Sequence, residues 1–177
     1  MTSRHDAGLA TRPGIGKPRR LDLSDPDTLA SLLDLQRAAY AVEAELIGFD
    51  GIPPLHESLQ ELRDCGESFL GIDDEVGLAG AVSFTRLPHD ADTDADIDID
   101  TLEICRLVVH PRAHRRGIAS ALLDHLDRLE PARHVAVSTG TANHPALHLY
   151  QQRGFTPVGT REIAPDVTIT LLERRVA

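Results

Sequence analysis

The stretch RLVVHPRAHRRGIASALLDHL, residues 106–126, constrains this chain more than any other. An apolar run from Leu102 to Val109, interrupted only by Glu103 and Arg106, reads as a central strand covered on both faces. It stops at His110 and Pro111 and passes through a basic loop holding Arg112, Arg115, Arg116 and Gly117. Beyond the loop, Ile118, Ala121, Leu122, His125, Leu126 and Leu129 recur at helical spacing. A strand feeding a helix through such a loop leaves backbone N–H groups at the helix start, and arginines around them make an anion site suited to phosphate. Gly117 lets a ligand approach the backbone, and small Ala119 keeps that approach open. An ordinary strand-to-helix turn with solvated arginines would look the same. The phosphate loop G-x-x-x-x-G-K-[ST] and the dinucleotide loop G-x-G-x-x-G are both missing.

The remaining chain fits one domain around that unit. At 177 residues, 41% hydrophobic and 26% charged, a single core is expected. Residues 1–20 carry five basic residues and no apolar period, so they read as a mobile tail ahead of a domain over 21–177. A short strand is expected at Leu21–Leu23. Asp25 before Pro26 has the N-cap arrangement, and Leu29, Leu32, Leu33, Ala39 and Tyr40 continue a helix to about Glu45. A second helix enters through Pro53 and Pro54, carries Leu55, Leu59 and Leu62, and stops at Gly66. Phe69–Ile72 and Leu78–Leu87 read as an antiparallel hairpin, and the aspartate-rich stretch 90–100 as a loop. Val135–Ser138 is a further strand and Pro145–Gln152 a short helix. Two closing strands, Phe155–Ile163 and Val167–Arg174, follow.

Charge and composition exclude several functions. A net charge of -10 disfavours nucleic acid and anionic membrane as partners, and 3% aromatics gives little material for stacking on bases. No apolar run approaches a membrane span and the start lacks an apolar signal core, so a cytoplasmic location is expected. Cys65 and Cys105 are far apart. Cys105 lies in the apolar run and is expected as a buried, reduced thiol, and neither cysteine points to redox or metal chemistry. Arg106, in an apolar strand, is expected to pair with a carboxylate on a neighbouring strand. His144 and His148 have the i, i+4 spacing of a metal pair but no evident third ligand, and no metal is assigned.

A second block, VAVSTGTANHPALHLYQQRGF, follows the first after one helix. Together they resemble the GNAT superfamily of N-acetyltransferases. His114-Arg115-Arg116-Gly117-Ile118-Ala119 is similar to its [Gln/Arg]-x-x-Gly-x-[Gly/Ala] acetyl-CoA motif, with His114 departing from the usual Gln or Arg. Asn143, Ala146, Tyr150, Gly154 and Phe155 match the Asn-x-x-Ala-x-x-x-Tyr-x-x-x-Gly-Phe segment that follows it. The resemblance covers at least residues 99–163. It implies an α/β fold of the GNAT acyl-CoA N-acyltransferase type: a mixed, twisted sheet whose central strands splay apart, flanked by helices.

The resemblance also implies roles. The main chain of Leu107, Val108 and Val109 would pair with the pantetheine arm of acetyl-CoA, with N–H groups near Val108 polarising the acetyl carbonyl. Arg115, Arg116, Gly117, Ile118, Ala119 and Ser120 would hold the pyrophosphate, and Asn143 would touch the cofactor arm. Tyr150 would act as general acid for the leaving thiolate, and packing in the core is its bland alternative. Glu103 is the candidate base, sharing a strand face with Cys105 and Leu107 if the pleat is regular, with Asp98 and Asp100 as neighbours able to relay a proton through water. The implied activity is transfer of acetyl from acetyl-CoA to a primary amine on a small molecule or peptide, without metal. A non-catalytic acyl-CoA-binding or regulatory module on the same fold is the alternative. The acceptor is not written in the sequence, though cationic partners suit the acidic chain and Asp92, Asp94 and Asp96 could help collect one. A homodimer is one option for assembly.

Overall fold

The computed structural model describes residues 14–86 and 100–176. Strand β1 (Arg19–Arg20) leads into the long helix α1 (Pro26–Ile47), whose Asp25 cap accepts from the Thr28 amide and whose end turns at Gly48, φ 68°. Short helices α2 (Pro53–His56) and α3 (Leu59–Arg63) precede strands β2 (Ser68–Asp73), β3 (Leu78–Arg86) and β4 (Thr101–Val109). A 3-10 turn at Pro111–Ala113 opens the loop to α4 (Ile118–Leu129), followed by β5 (His134–Gly140), α5 (His144–Gln152), β6 (Thr156–Ala164) and β7 (Val167–Arg175).

The strands form one sheet in the order β1-β2-β3-β4-β5-β7-β6, antiparallel except for the β4–β5 pair. This is the mixed sheet with flanking helices that the sequence implies. On one face Ile118, Leu122 and Leu126 of α4 and Tyr150 of α5 pack on Leu70, Ile72, Val82, Phe84 and Ile104. On the other, Leu29, Leu32 and Tyr40 of α1 and Leu62 of α3 pack on Phe69, Ala81 and Val108. Gly80 lets α4 lie directly on the sheet, because a Cβ there would strike Ile118 Cγ2.

Several expectations change. The first strand is Arg19–Arg20, paired with Leu70 and Gly71, while Leu21 drops into the core. Residues 14–20 therefore join the sheet edge rather than a tail, with Ile15 bridged to Asp74. The expected second helix is two: Ser58 starts α3 with a reciprocal capping box to Glu61, and the break at Glu57 lets that carboxylate turn inward. Leu129 is exposed, and Leu123 takes its place on the buried face of α4. The aspartates at 90–99 lie outside the described residues.

Candidate active site

The β4–β5 pairing is short. Thr101–Ile104 pair in parallel with His134–Val137, and from there the strands separate, β4 staying with β3 and β5 with β7. The amide of His110 donates to the Ala79 carbonyl, so alternation along an antiparallel ladder turns the Val108 amide toward β3 as well. The backbone groups of Leu107 and Val109 then face the gap. By the same parity, fixed by the Thr141 amide on the Thr168 carbonyl, Ser138 and the Gly140 amide face the gap from β5, the Gly140 carbonyl being taken by the Asn143 amide. Of the three residues expected to meet the pantetheine arm, Leu107 and Val109 thus turn their amides into the gap, the Val109 carbonyl being taken by His114, whereas Val108 fixes the strand to its neighbour.

A bulge sits where the strands part. Ser83 opposes Arg106 and Phe84 opposes Ile104, leaving Cys105 as the extra residue. The pleat is therefore not regular, and the expected shared face is corrected for Leu107, while Cys105 keeps the Glu103 side through its contact with Thr85. Glu103, opposite Thr85, lies on the face of Arg106 and Val108, toward α1, while Leu107 and Val109 turn toward α4. Glu103 is exposed and still within the paired part of β4, opposite Ala136. Cys105 is exposed rather than buried, on the same side of β4 as exposed Glu103, with its Sγ 3.6 Å from the Thr85 hydroxyl. Desolvation pushes its thiol up to about 11 against the pull of the Thr85 hydroxyl, so it is protonated at neutral pH and a poor nucleophile.

The loop before α4 carries positive φ at Arg115 (60°) and Gly117 (80°), and α4 has no side-chain cap. Side chains cap α1, α3 and α5 through Asp25, Ser58 and Asn143. The first intrahelical bond of α4 runs from Ala121 to the Gly117 carbonyl, which leaves the amides of Ile118, Ala119 and Ser120 uncapped at the positive end of a twelve-residue helix. The arginines divide. Arg112 and Arg116 both bind Asp74 at 3.1 Å, and Arg116 also reaches the Gly14 carbonyl. Arg115 has no ion pair among the described residues and is exposed. The side-chain part of the expected anion site therefore reduces to Arg115, the others bracing the β2–β3 turn. His114, at the departure from the motif, brings Nε2 within 3.2 Å of the Val109 carbonyl and so tethers the loop to the strand edge.

Tyr150 is 4% exposed, edge-on to Phe155 with ring centroids 5.6 Å apart, and the Arg174 guanidinium lies 4.7 Å over the Phe155 ring. Arg153 braces α5 to α4 through Asp124 at 2.6 Å and the Ser120 carbonyl at 3.0 Å. Burial first, and then the charge of Glu43, raise the Tyr150 phenol well above the ordinary tyrosine range. Asn143 is 9% exposed and accepts the Ala146 amide on Oδ1, so one end of its carboxamide is committed to capping α5. Arg106 is buried with two carboxylates, Glu57 at 2.5 Å and Glu67 at 2.8 Å, and with Gln36. It is the structural ion pair expected, but its partners come from the α2–α3 break and the entry to β2. Tyr40, Glu43 and Thr139 also stand at this end of the gap, and sequence reasoning did not single them out as site residues.

Comparison with known proteins agrees with this geometry. The model of the acetyltransferase (GNAT) family matches residues 29–155. The UPF0157 protein YqkA of Bacillus subtilis is 37% identical over 141 residues, which is 79% of this chain and 38% of that protein's length, so the chain spans well under half of that relative. The crystal structure of the NatC complex bound to Gag peptide and CoA is similar over 93% of this chain and 99% of that one, at 18% identity and a TM-score of 0.65. A spermidine N-acetyltransferase SpeG chimera from Vibrio cholerae and hSSAT matches over 92% and 95%, at 17% identity and a TM-score of 0.65. At such identities the two structures speak for the fold alone. The family match over most of the chain, on a sheet whose parting strand leads through one short loop into an uncapped helix start, establishes that this chain belongs to the GNAT acetyltransferase family.

Proposed function

We propose that this chain transfers the acetyl group of acetyl-CoA directly to a primary amine, with the thioester lying between the diverging β4 and β5. One observation carries the reading. Strand β4, which parts from β5 after Ile104, runs through one short loop into the uncapped start of α4, so strand-edge amides and helix-start amides follow each other along the chain. An extended, amide-bearing arm that ends in a pyrophosphate has the matching chemistry. In this reading Leu107 and Val109 bond the pantetheine arm on either side of Val108. The amides from Arg115 and Arg116 through Gly117, Ile118, Ala119 and Ser120 receive the pyrophosphate, with Arg115 as the free guanidinium and Arg116 held by Asp74. Asn143 donates to the arm through Nδ2.

Acetyl-CoA supplies an acyl group already activated as a thioester. The acceptor ammonium loses a proton through water to Glu103, and its nitrogen lone pair attacks the carbonyl carbon. Gap-facing N–H groups next to Val108 stabilise the oxyanion. As the C–N bond forms and the C–S bond breaks, Tyr150, still a phenol, gives its proton to the sulfur and recovers one from the new amide nitrogen. The acceptor classes to test are peptide and small amine, since the two similar structures are a peptide-bound complex and a spermidine N-acetyltransferase. The cytoplasm, where acetyl-CoA is available, is the fitting compartment.

The test is free-thiol release from acetyl-CoA by purified protein across polyamines, amino acids, aminoglycosides and peptide N-termini. Amine-dependent release without added metal is expected. Acetyl-CoA binding with no release on any amine would instead make the chain a non-catalytic acyl-CoA-binding module.

A further inference from the structure

Helix α1 crosses the gap on the side away from α4. Tyr40, Glu43 and Ile47 lie three and four residues apart and share one face of α1. Tyr40 is buried in the cluster that contains Val108 of β4. Glu43 Oε1 accepts from Thr139 Oγ1 of β5 at 3.4 Å, and Ile47 covers Gly140, where an added Cβ would strike Ile47 Cγ2. One helical stripe therefore spans from β4 to β5 beyond the point where those strands part, with Glu43 held over the opening.

Glu43 is also the exception in the electrostatics of the fold. It is half-buried and has no cationic partner among the described residues. Every other half-buried carboxylate among them faces a basic side chain: Glu57 and Glu67 have Arg106, Asp73 has Arg19, Asp74 has Arg112 and Arg116, Asp124 has Arg153, and Glu173 has the His134 imidazole at 3.0 Å. Glu130 binds Arg20 and Arg86. A partly desolvated carboxylate beside apolar walls is costly unless a cation meets it. Its uncompensated field reaches the two buried phenols beside it, raising both Tyr40 and Tyr150 beyond what burial alone does.

We propose that Glu43 is the receptor for the acceptor's ammonium group, pairing with a primary ammonium on an apolar stem and holding it over the gap for acetyl transfer. The inference rests on the acetyl-transfer reading and adds the charge and placement of the acceptor to it. Glu43 binds and orients the charged form, and Glu103 receives the proton. Ammonium on Glu43 also cancels negative field at Tyr150, so the acceptor makes the acid a readier donor when it arrives.

Glu43→Gln keeps an acceptor for Thr139 and removes only the charge. With spermidine, n-propylamine and an alanine-led peptide as probes, the variant is expected to raise the amine KM by about tenfold to a hundredfold, the scale of a charge-assisted contact. The acetyl-CoA KM should stay within about twofold, and Glu43→Asp should recover part of the loss. The Tyr150 phenol, followed by tyrosine ultraviolet titration against Tyr150→Phe, should ionise at lower pH in Glu43→Gln than in wild type. Wild-type turnover with an unchanged amine KM in Glu43→Gln would overturn the ammonium site and leave the transfer reading standing. Calorimetric uptake of a probe amine that is lost in Glu43→Gln, with no thiol release by wild type, would keep the site and sink the transfer reading. Absence of both uptake and turnover in wild type would overturn both.

Discussion

The residues around Tyr150 are pinned: Phe155 holds the ring edge, and Arg153 ties α5 to α4. Tyr150→Phe keeps the packing and removes the proton, so kcat should fall by ~10²–10⁴-fold while acetyl-CoA affinity barely moves, as steady-state kinetics beside calorimetry would measure. Because burial and Glu43 both raise the phenol, the wild-type kcat profile should show no loss from Tyr150 ionisation below the ordinary tyrosine value of about 10. Glu103→Gln should depress the rate most at low pH, where more of the acceptor is ammonium, and recover as pH rises; a loss equal at every pH would reject the proton-transfer role. Tyr150 and the loop glycine were offered as candidates by the motifs that resemble the GNAT family, and Glu103 by its place on β4 beside Asp98 and Asp100. Glu43 was not. In AYAVEAELI, Glu43 and Glu45 both read as solvated helix positions, and only the passage of α1 across the opening separates the half-buried carboxylate from the exposed one.

At the scale of elements, the strand–loop–helix unit at β4 and α4 was readable from periodicity and from Gly117, and the strands and helices after it fell close to their expected bounds. What the pattern did not disclose depends on partners far along the chain. The Cys105 bulge is defined by its register against β3, and an apolar strand with one extra residue has the same composition as one without. Arg112 and Arg116 looked like ligands for a phosphate until Asp74, on the turn after β2, claimed both. Helix α4 nevertheless keeps its uncapped first turn, and Gly117 there sits at φ 80°. Gly117→Asp puts a Cβ into a left-handed position, at a cost of ~1–2 kcal/mol, and sets a negative charge and a competing cap on the anion-binding amides. Acetyl-CoA binding should be lost while the urea midpoint drops only modestly. Retention of affinity in a folded variant would remove the phosphate loop from this assignment.

Across the whole molecule, two apolar clusters on opposite faces of one sheet meet at the strands that part, and buried ion pairs tie the outer pieces to them. Arg106 links β4 to the α2–α3 break and to the entry of β2, while Asp74 joins the β2–β3 turn to the loop before α4. Desolvation pushes the Asp74 carboxyl up, but the Val76 amide and the Arg112 guanidinium outweigh it, and the folded value lies below the usual aspartate range. A depressed carboxyl contributes stability that is full above its unfolded value, ~3.9, and fades as pH falls through the folded one. Asp74→Asn should therefore unfold at lower urea than wild type at neutral pH, with the gap between them closing below about pH 4. These pairs leave the opening between β4 and β5 as the place where main-chain groups await a partner, and amide hydrogen exchange with and without acetyl-CoA tests that most directly. The account predicts that Leu107 and Val109 become protected on addition of acetyl-CoA, while Val108, already bonded toward β3, is protected throughout. Unchanged exchange at Leu107 and Val109 under saturating acetyl-CoA would contradict it.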